Sequence, residues 1–211
     1  MASKNKTHLL KASCFLASFL ILAVLVHTNN VLVTNFDTAI QTLLKPLTNP
    51  INTRIVEFIT NLGGPVMATI FSLLVIICVY LKYSTRDAIW ALVTLASGNL
   101  LVFLLKNLMQ RPRPSDKLVA IGGFSFPSGH TFGTTIFILF IVYLLIVHFQ
   151  SRNVRLSLTC LAAIWALLIA LSRIYLHVHY PSDVLASFLL AGFTWQVARM
   201  FQPKSSWHTQ S

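Results

Sequence analysis

Apolar residues recur along this chain in six long runs that are separated by short polar stretches. The runs cover residues 9–27, 65–82, 87–108, 130–149, 155–175 and 182–201. A helix rises about 1.5 Å per residue, so about 20 residues are enough to cross the roughly 30 Å of hydrocarbon in a bilayer. The pattern predicts an all-α protein: one integral membrane domain over residues 1–211, built as a six-span transmembrane helix bundle.

Residues 28–64 form the longest excursion between two runs and contain two shorter patterns of helical spacing. The first comprises Phe36, Ile40, Leu43, Leu44 and Leu47, and the second comprises Ile55, Phe58, Ile59 and Leu62. Apolar residues three and four apart share one face of a helix, which predicts two short amphipathic helices at the membrane interface. A packed lid over the bundle and a gate for the substrate are equally compatible with this pattern.

The composition supports the membrane interpretation. Charged residues make up only 10% of the chain and hydrophobic residues 55%, whereas soluble domains contain roughly 25% charged residues. The net charge of +11 would suggest a nucleic-acid partner in a soluble protein, but the sequence has no basic patch interleaved with aromatic residues. We therefore attribute the charge to basic loops that face an anionic membrane surface, and we predict no nucleic-acid partner.

Basic residues are distributed unevenly between the two ends of the predicted spans. The end that includes both termini holds nine of them: Lys4, Lys6, Lys11, Lys82, Arg86, Arg152, Arg155, Arg199 and Lys204. The other end holds seven: Lys45, Arg54, Lys106, Arg111, Arg113, Lys117 and Arg173. Five of these seven lie in polar segments that are candidates for a functional site: Lys106, Arg111, Arg113, Lys117 and Arg173. Without those five, the end with the termini holds nine basic residues and the other end holds two. Because positive charge favours the cytoplasmic side, we predict a multi-pass plasma-membrane protein with both termini in the cytoplasm.

The three cysteines, Cys14, Cys78 and Cys160, each lie inside an apolar run, and none has a partner at a spacing typical of a metal site. We expect them to be buried thiols that act as small hydrophobic side chains.

Three polar segments lie at the ends of the predicted spans. They are 106–117, after the third run; 124–132, before the fourth; and 172–183, between the fifth and sixth. The alternating direction of the spans brings all three to the same membrane face, which the charge distribution places outside the cytoplasm. Ionisable groups at membrane depth are unfavourable and usually mark a functional site. We therefore predict a site at this face.

Three cations are brought to that face with few acidic residues beside them. Lys106, Arg113 and Arg173 would repel one another unless an anion lay between them, and phosphate fits the fork geometry of arginine. Taken singly, Lys106 and Arg173 are also explained as side chains that extend from the ends of spans toward water.

The second segment contains the sequence Pro127-Ser128-Gly129-His130 at the predicted start of a span. Ser128 can cap the helix, and Gly129 allows the backbone to approach a ligand closely. Free N–H groups at a helix N-terminus attract anions, and His130 would lie beside them. An ordinary capped span with an interfacial histidine is the alternative.

The third segment combines histidine with a carboxylate. Asp183 follows His179 by four residues, so it can hold one imidazole nitrogen and leave the other free for nucleophilic attack. Asp183 also suits the positive end of a helix. A metal site of His177, His179 and Asp183 is a further alternative, but the neighbouring cations oppose it, so we predict no metal and no cofactor.

Taken together, these segments resemble the three-part signature of the type 2 phosphatidic acid phosphatase family, which spans residues 106–183 here. The pattern K-x6-R-P matches Lys106, Arg113 and Pro114, and P-S-G-H matches residues 127–130. The pattern S-R-x5-H-x3-D matches Ser172, Arg173, His179 and Asp183. The chain has no departure from the signature, and its overall likeness is to the small, six-span bacterial members of the family.

The resemblance implies a role for each signature residue. His179, rather than His177, is the nucleophile that forms a phosphohistidine, Asp183 orients it, and His130 acts as general acid and then general base. The phosphate ligands are Lys106, Arg113, Ser128, Gly129 and Arg173. The implied substrate is a lipid phosphate taken from the membrane, with undecaprenyl diphosphate, phosphatidylglycerophosphate and phosphatidic acid as candidates.

Two other functions retain the same residues. A phosphotransferase would pass the phosphoryl group to an acceptor other than water, and a non-catalytic lipid-phosphate binder or transporter would not turn over at all. The resemblance assigns no role to His177 or Arg111.

Overall fold

The computed structural model of the chain describes residues 2–203, without the side chains of residues 2–4. Those residues form eight α-helices and no strand. The helices are α1 (Ala2–His27), α2 (Val31–Leu44), α3 (Pro50–Leu62), α4 (Pro65–Lys82), α5 (Thr85–Met109), α6 (Gly129–Leu144), α7 (Arg152–Tyr175) and α8 (Pro181–Met200). The prediction of an all-α fold is confirmed, while Lys204 lies outside the described residues.

Five of the predicted spans correspond to stretches that are long and apolar enough to cross a membrane. Among the described residues these stretches are Asn5–His27, Pro50–Lys82, Thr85–Met109, Gly129–His148 and Arg152–Tyr175. The second combines α3 with α4, which are separated by Gly63 and Gly64. Helix α8 has 20 residues but many buried polar ones, so its apolar character is weaker and the sixth span stays a prediction.

Helix ends follow local sequence signals. Asn49, Ser84 and Ser151 precede α3, α5 and α7, and each side chain accepts a hydrogen bond from a backbone N–H in the first turn. Proline is in the first turn of α3, α4 and α8, where its missing N–H leaves no hydrogen bond unmade. Gly63 allows α7 to approach, since a Cβ there would lie 2.5 Å from the side chain of Ile169.

Helix α8 lies at the centre of the bundle and packs against α1, α2, α5, α6 and α7. At one end His8 Nδ1 is 2.8 Å from Gln196 Oε1, so the beginning of α1 and the end of α8 are adjacent. Trp90, Phe140, Tyr143 and Trp195 form an aromatic cluster in the main core, with ring centroids 5.5 to 6.4 Å apart. The signature segments lie at the other end, where α6 and α8 begin.

The excursion 28–64 forms two helices, α2 and α3, as predicted. Phe36, Leu43 and Leu47 are exposed. The buried face carries Val33 and Asp37, and Ile40 and Leu44 pack beside it. Helix α3 likewise exposes Phe58 and buries Thr60. Both helices therefore turn polar groups inward, an arrangement that suits a bundle end with buried charges.

The prediction of buried cysteines is wrong. Cys14 and Cys160 are exposed and Cys78 is half-buried. They lie on helices α1, α7 and α4, whose outer surfaces also expose large apolar side chains such as Ile21, Leu74 and Leu161. The apolar runs around these cysteines are therefore explained by contact with lipid rather than with the protein core.

Candidate active site

The three signature segments meet at one end of the bundle, as the alternation of the spans predicted. The Nζ atom of Lys106, at the end of α5, donates to Phe124 O at 2.9 Å. The backbone N–H of Ser128, before α6, donates to Asp183 O in α8 at 3.4 Å. Arg113 Nη1 donates to Val178 O at 2.7 Å, in the turn between α7 and α8. Segments far apart in the sequence thus form one site.

His179 and Asp183 form a buried pair in this site. His179 is 1% exposed and Asp183 0% exposed. The Nδ1 atom of His179 lies 3.4 Å from Asp183 Oδ2, which is long for a hydrogen bond but close enough for a charge interaction. The Nε2 atom lies 3.1 Å from Arg113 Nη1. The carboxylate therefore faces one ring nitrogen, and the other faces the cations.

Lys106, Arg113 and Arg173 lie around this pair, and none of them forms an ion pair with a carboxylate among the described residues. Lys106 and Arg113 donate to backbone carbonyls, and Arg173 Nη1 donates to the Thr60 hydroxyl at 3.0 Å. Arg173 is 2% exposed, and its Nε and Nη2 atoms have no hydrogen-bond partner among the described residues. Buried donors of a cation require an acceptor, and a phosphate group would supply one.

The start of α6 adds backbone donors and a second histidine. The Ser128 side chain accepts from the Thr131 N–H, as predicted for a helix cap. A Cβ on Gly129 would lie 3.9 Å from Cε of Lys106, so bare backbone faces the lysine. The charges of Arg173, Arg113 and Lys106 act on the His130 ring. The N-terminus of α6, the three cations and His130 therefore lie in one small region, where an anion would be stabilised.

Sequence reasoning gave no role to Arg111 and did not single out Asp37 or Thr60, and the structure places all three in contact with the site. Arg111 forms ion pairs with Asp183 at 2.6 Å and with Asp37 at 2.8 Å. These carboxylates raise the pKa of Arg111 although burial opposes its charge. A signal for Asp37 was present, because helical spacing puts it on one face with Val33, Ile40 and Leu44.

His177 has a different partner from His179, the predicted nucleophile. The Nδ1 atom of His177 lies 2.7 Å from Asp116 Oδ2, so this pair joins the segment between α5 and α6 to the turn before α8. His177 has a left-handed backbone with φ of 52°. Among the described residues, no group of three or more His, Cys, Asp or Glu side chains is arranged to hold a metal ion.

The environment of His179 makes its titration a test of the site geometry. Burial lowers the pKa of His179 from 6.5 to about 4, Lys106 and Arg113 act in the same direction, and Asp183 opposes them. The free site would then keep a neutral ring, with a lone pair available for attack, until the pH falls through about 4. We expect the imidazole NMR signal that is missing in the His179→Ala protein to titrate well below 6.5. A midpoint at or above that value would contradict the burial of the ring among cations.

Comparison with known proteins gives one family. A family model described as the PAP2 superfamily matches residues 87–207. The chain is 32% identical over 191 residues to phosphatidylglycerophosphatase B of Bacillus subtilis (strain 168), an alignment that covers 88% of this chain and 92% of that protein. It is 36% identical over 104 residues to the lipid A 4'-phosphatase of Bacteroides thetaiotaomicron, covering 42% and 41% of the two chains.

A solved structure has the same fold. It is the crystal structure of the first transmembrane PAP2 type phosphatidylglycerolphosphate phosphatase from Bacillus subtilis, with a TM-score of 0.80 and 27% identity. The superposition covers 90% of this chain and 95% of the other. The family match includes every signature residue and more than half of the chain. The predicted resemblance is confirmed, and the chain belongs to the PAP2 superfamily.

Proposed function

We propose that this protein is an integral membrane lipid phosphatase that removes a phosphoryl group through a phosphohistidine on His179. The observation that carries the proposal is the set of three cations without carboxylate partners among the described residues, placed around a histidine–carboxylate pair. Phosphoryl transfer depends mainly on positioning and on stabilising negative charge, and this arrangement provides both. The names of the similar enzymes support a phosphate ester of a lipid as substrate.

The first step transfers the phosphoryl group to the protein. Lys106, Arg113 and Arg173 bind the phosphate oxygens, with the N–H groups at the start of α6, and Arg113 turns from the His179 ring toward the phosphate. The lone pair of His179 Nε2 attacks phosphorus, while the bond from phosphorus to the lipid oxygen breaks. That oxygen takes a proton from His130, whose protonated form is favoured by the bound phosphate.

The second step releases phosphate. His130 takes a proton from water, and the resulting hydroxide attacks phosphorus. The phosphorus–nitrogen bond breaks, and its electron pair returns to His179 Nε2. Asp183 stabilises the positive ring of the intermediate and holds its orientation throughout. Metal independence is part of the proposal, because the three cations supply the positive charge that a metal ion provides in other phosphoryl-transfer enzymes.

The proposed setting is a six-span protein of the plasma membrane, with both termini in the cytoplasm and the active site outside it. The excess of basic residues at the end that carries the termini supports this orientation. Exposed apolar side chains on α2 and α3, near the site, suit an interface with lipid. Undecaprenyl diphosphate and phosphatidylglycerophosphate are the substrates that we favour, with phosphatidic acid as a third.

We expect the purified protein in detergent with EDTA to release phosphate from at least one of these three lipids. The lipid A phosphate that the Bacteroides relative's name indicates is included for comparison. Release that depends on added divalent metal would contradict the histidine mechanism. Transfer of the phosphoryl group to an acceptor other than water, seen by product analysis, would identify a phosphotransferase instead.

A further inference from the structure

A buried network of charges joins helix α2 to the catalytic pair. The guanidinium of Arg111 donates through Nη1 to Asp183 Oδ1 at 2.6 Å and through Nη2 to Asp37 Oδ2 at 2.8 Å. Asp37 is 2% exposed and Asp183 is 0% exposed. One arginine therefore holds two buried carboxylates, one from each side of its fork.

Asp37 has a second contact, with the beginning of α8. Its Oδ1 accepts from the Ser182 backbone N–H at 2.8 Å, and its Oδ2 accepts from the Ser182 hydroxyl at 2.7 Å. Ser182 Oγ also accepts from Arg111 Nη1 at 2.8 Å. An N–H in the first turn of a helix lacks a partner within that helix, so Asp37 caps α8 from another element.

These contacts fix the carboxylate that faces the predicted nucleophile. Asp183 Oδ1 is held by Arg111, and Oδ2 accepts from the Tyr180 N–H at 2.9 Å while it faces the His179 ring. Arg111 is itself held by Asp37 and by the Tyr180 ring, whose centroid lies 3.9 Å from Cζ. The orientation of Asp183 thus depends on a residue of α2.

We propose that Asp37 and Arg111 are positioning residues, which hold Asp183 against His179 and make the catalytic pair dependent on the docking of α2. The inference rests on the proposed function, since it assigns a purpose to the same pair. Neither residue belongs to the three-part signature. The side-chain contacts of Arg111 and Asp37 are with each other, with Asp183 and Ser182, and with the Tyr180 ring.

The network also predicts electrostatic effects of opposite sign on His179. The charged or titratable groups that act on this ring or lie beside it are Asp183, Lys106, Arg113, Arg173 and His130. Loss of the Arg111 charge leaves Asp183 uncompensated, so protonation of His179 becomes easier and its titration midpoint rises. Loss of the Asp37 charge leaves Arg111 paired with Asp183 only, so Asp183 is compensated more fully. Protonation of His179 then becomes harder, and its titration midpoint falls.

The test is kinetic and spectroscopic, on the full chain in detergent. For Asp37→Asn we expect kcat to fall by about tenfold to a hundredfold, as small misplacements of catalytic groups do. We expect KM to change by less than about threefold, because the phosphate-binding cations are untouched. NMR titration should move the His179 midpoint down in Asp37→Asn and up in Arg111→Gln.

Glu57→Gln is the matched control, because it makes the same chemical change at an exposed position of the neighbouring helix α3. If neutral variants do not fold, Arg111→Lys keeps the charge but has no fork to reach both carboxylates, and it too should lower kcat with KM retained. Wild-type kcat and an unmoved midpoint in the Asp37 or Arg111 variants would overturn the inference. That result together with an inactive His179→Ala protein would leave the proposed function intact, whereas an active His179→Ala protein would refute the function itself.

Discussion

Replacement of His179 by alanine is expected to lower phosphate release by about 10⁴-fold or more, because removal of a nucleophile abolishes the covalent route. The structure supports this expectation through the position of the ring, with Asp183 at one nitrogen and Arg113 at the other. Lipid binding should persist, since Lys106 and Arg173 remain. Two quantities are measured on the protein in detergent: the rate of phosphate release in a single turnover, and the amount of lipid substrate that stays bound to the His179→Ala protein.

The matched control for this variant is His177→Ala, two residues away. His177 pairs with Asp116 on the other side of the turn, so its loss should lower turnover far less. If His177→Ala were inactive and His179→Ala active, the register of the third segment would be wrong. Thermal unfolding of both variants checks that each loss is chemical and not a failure to fold.

Replacement of His130 by alanine is expected to lower kcat by about 10²- to 10⁴-fold, the range typical of a general acid–base group. The effect should depend on the leaving group. A lipid alkoxide needs a proton to leave, whereas p-nitrophenolate does not. With p-nitrophenyl phosphate the variant should therefore form the phosphoenzyme in a rapid burst and hydrolyse it slowly.

The control for this prediction is His27→Ala, which removes an exposed histidine of α1 at a position outside the signature. It should retain wild-type turnover with both substrates. Equal losses for lipid and p-nitrophenyl phosphate, with no burst, would show that His130 does not protonate the leaving group.

The fold was predictable because its signals are local. Runs of apolar residues and capping residues such as Ser128 act within one helix, and helix bounds followed them closely. The surroundings of α2 and α3 were not predicted. Their spacing left contact with lipid and contact with the bundle equally open, and the structure exposes Phe36 and Phe58 while it buries Asp37 and Thr60. A short helix at a membrane surface has two apolar surroundings, lipid and protein, and spacing alone does not distinguish them.

The candidate site was predictable to the extent that a motif carries it. Spacing and charge singled out Lys106, His130, Arg173 and the His179–Asp183 pair as candidates, and the family resemblance chose His179 over His177. The structure brings these residues together. The Arg111–Asp37 pair joins residues 74 positions apart, and Asp37 meets Ser182 across 145 positions. Such pairing depends on how helices dock, which no local pattern encodes.

The most direct test of the account is to find where the phosphoryl group is held during turnover. The His130→Ala protein would be mixed with p-nitrophenyl phosphate in the presence of EDTA, quenched in alkali to preserve phosphohistidine, and digested for mass spectrometry. The account predicts one added phosphoryl group on His179, absent when His179 is also replaced. A phosphoryl group on His177 or on another residue, or full turnover without any phosphoenzyme, would contradict the proposed mechanism.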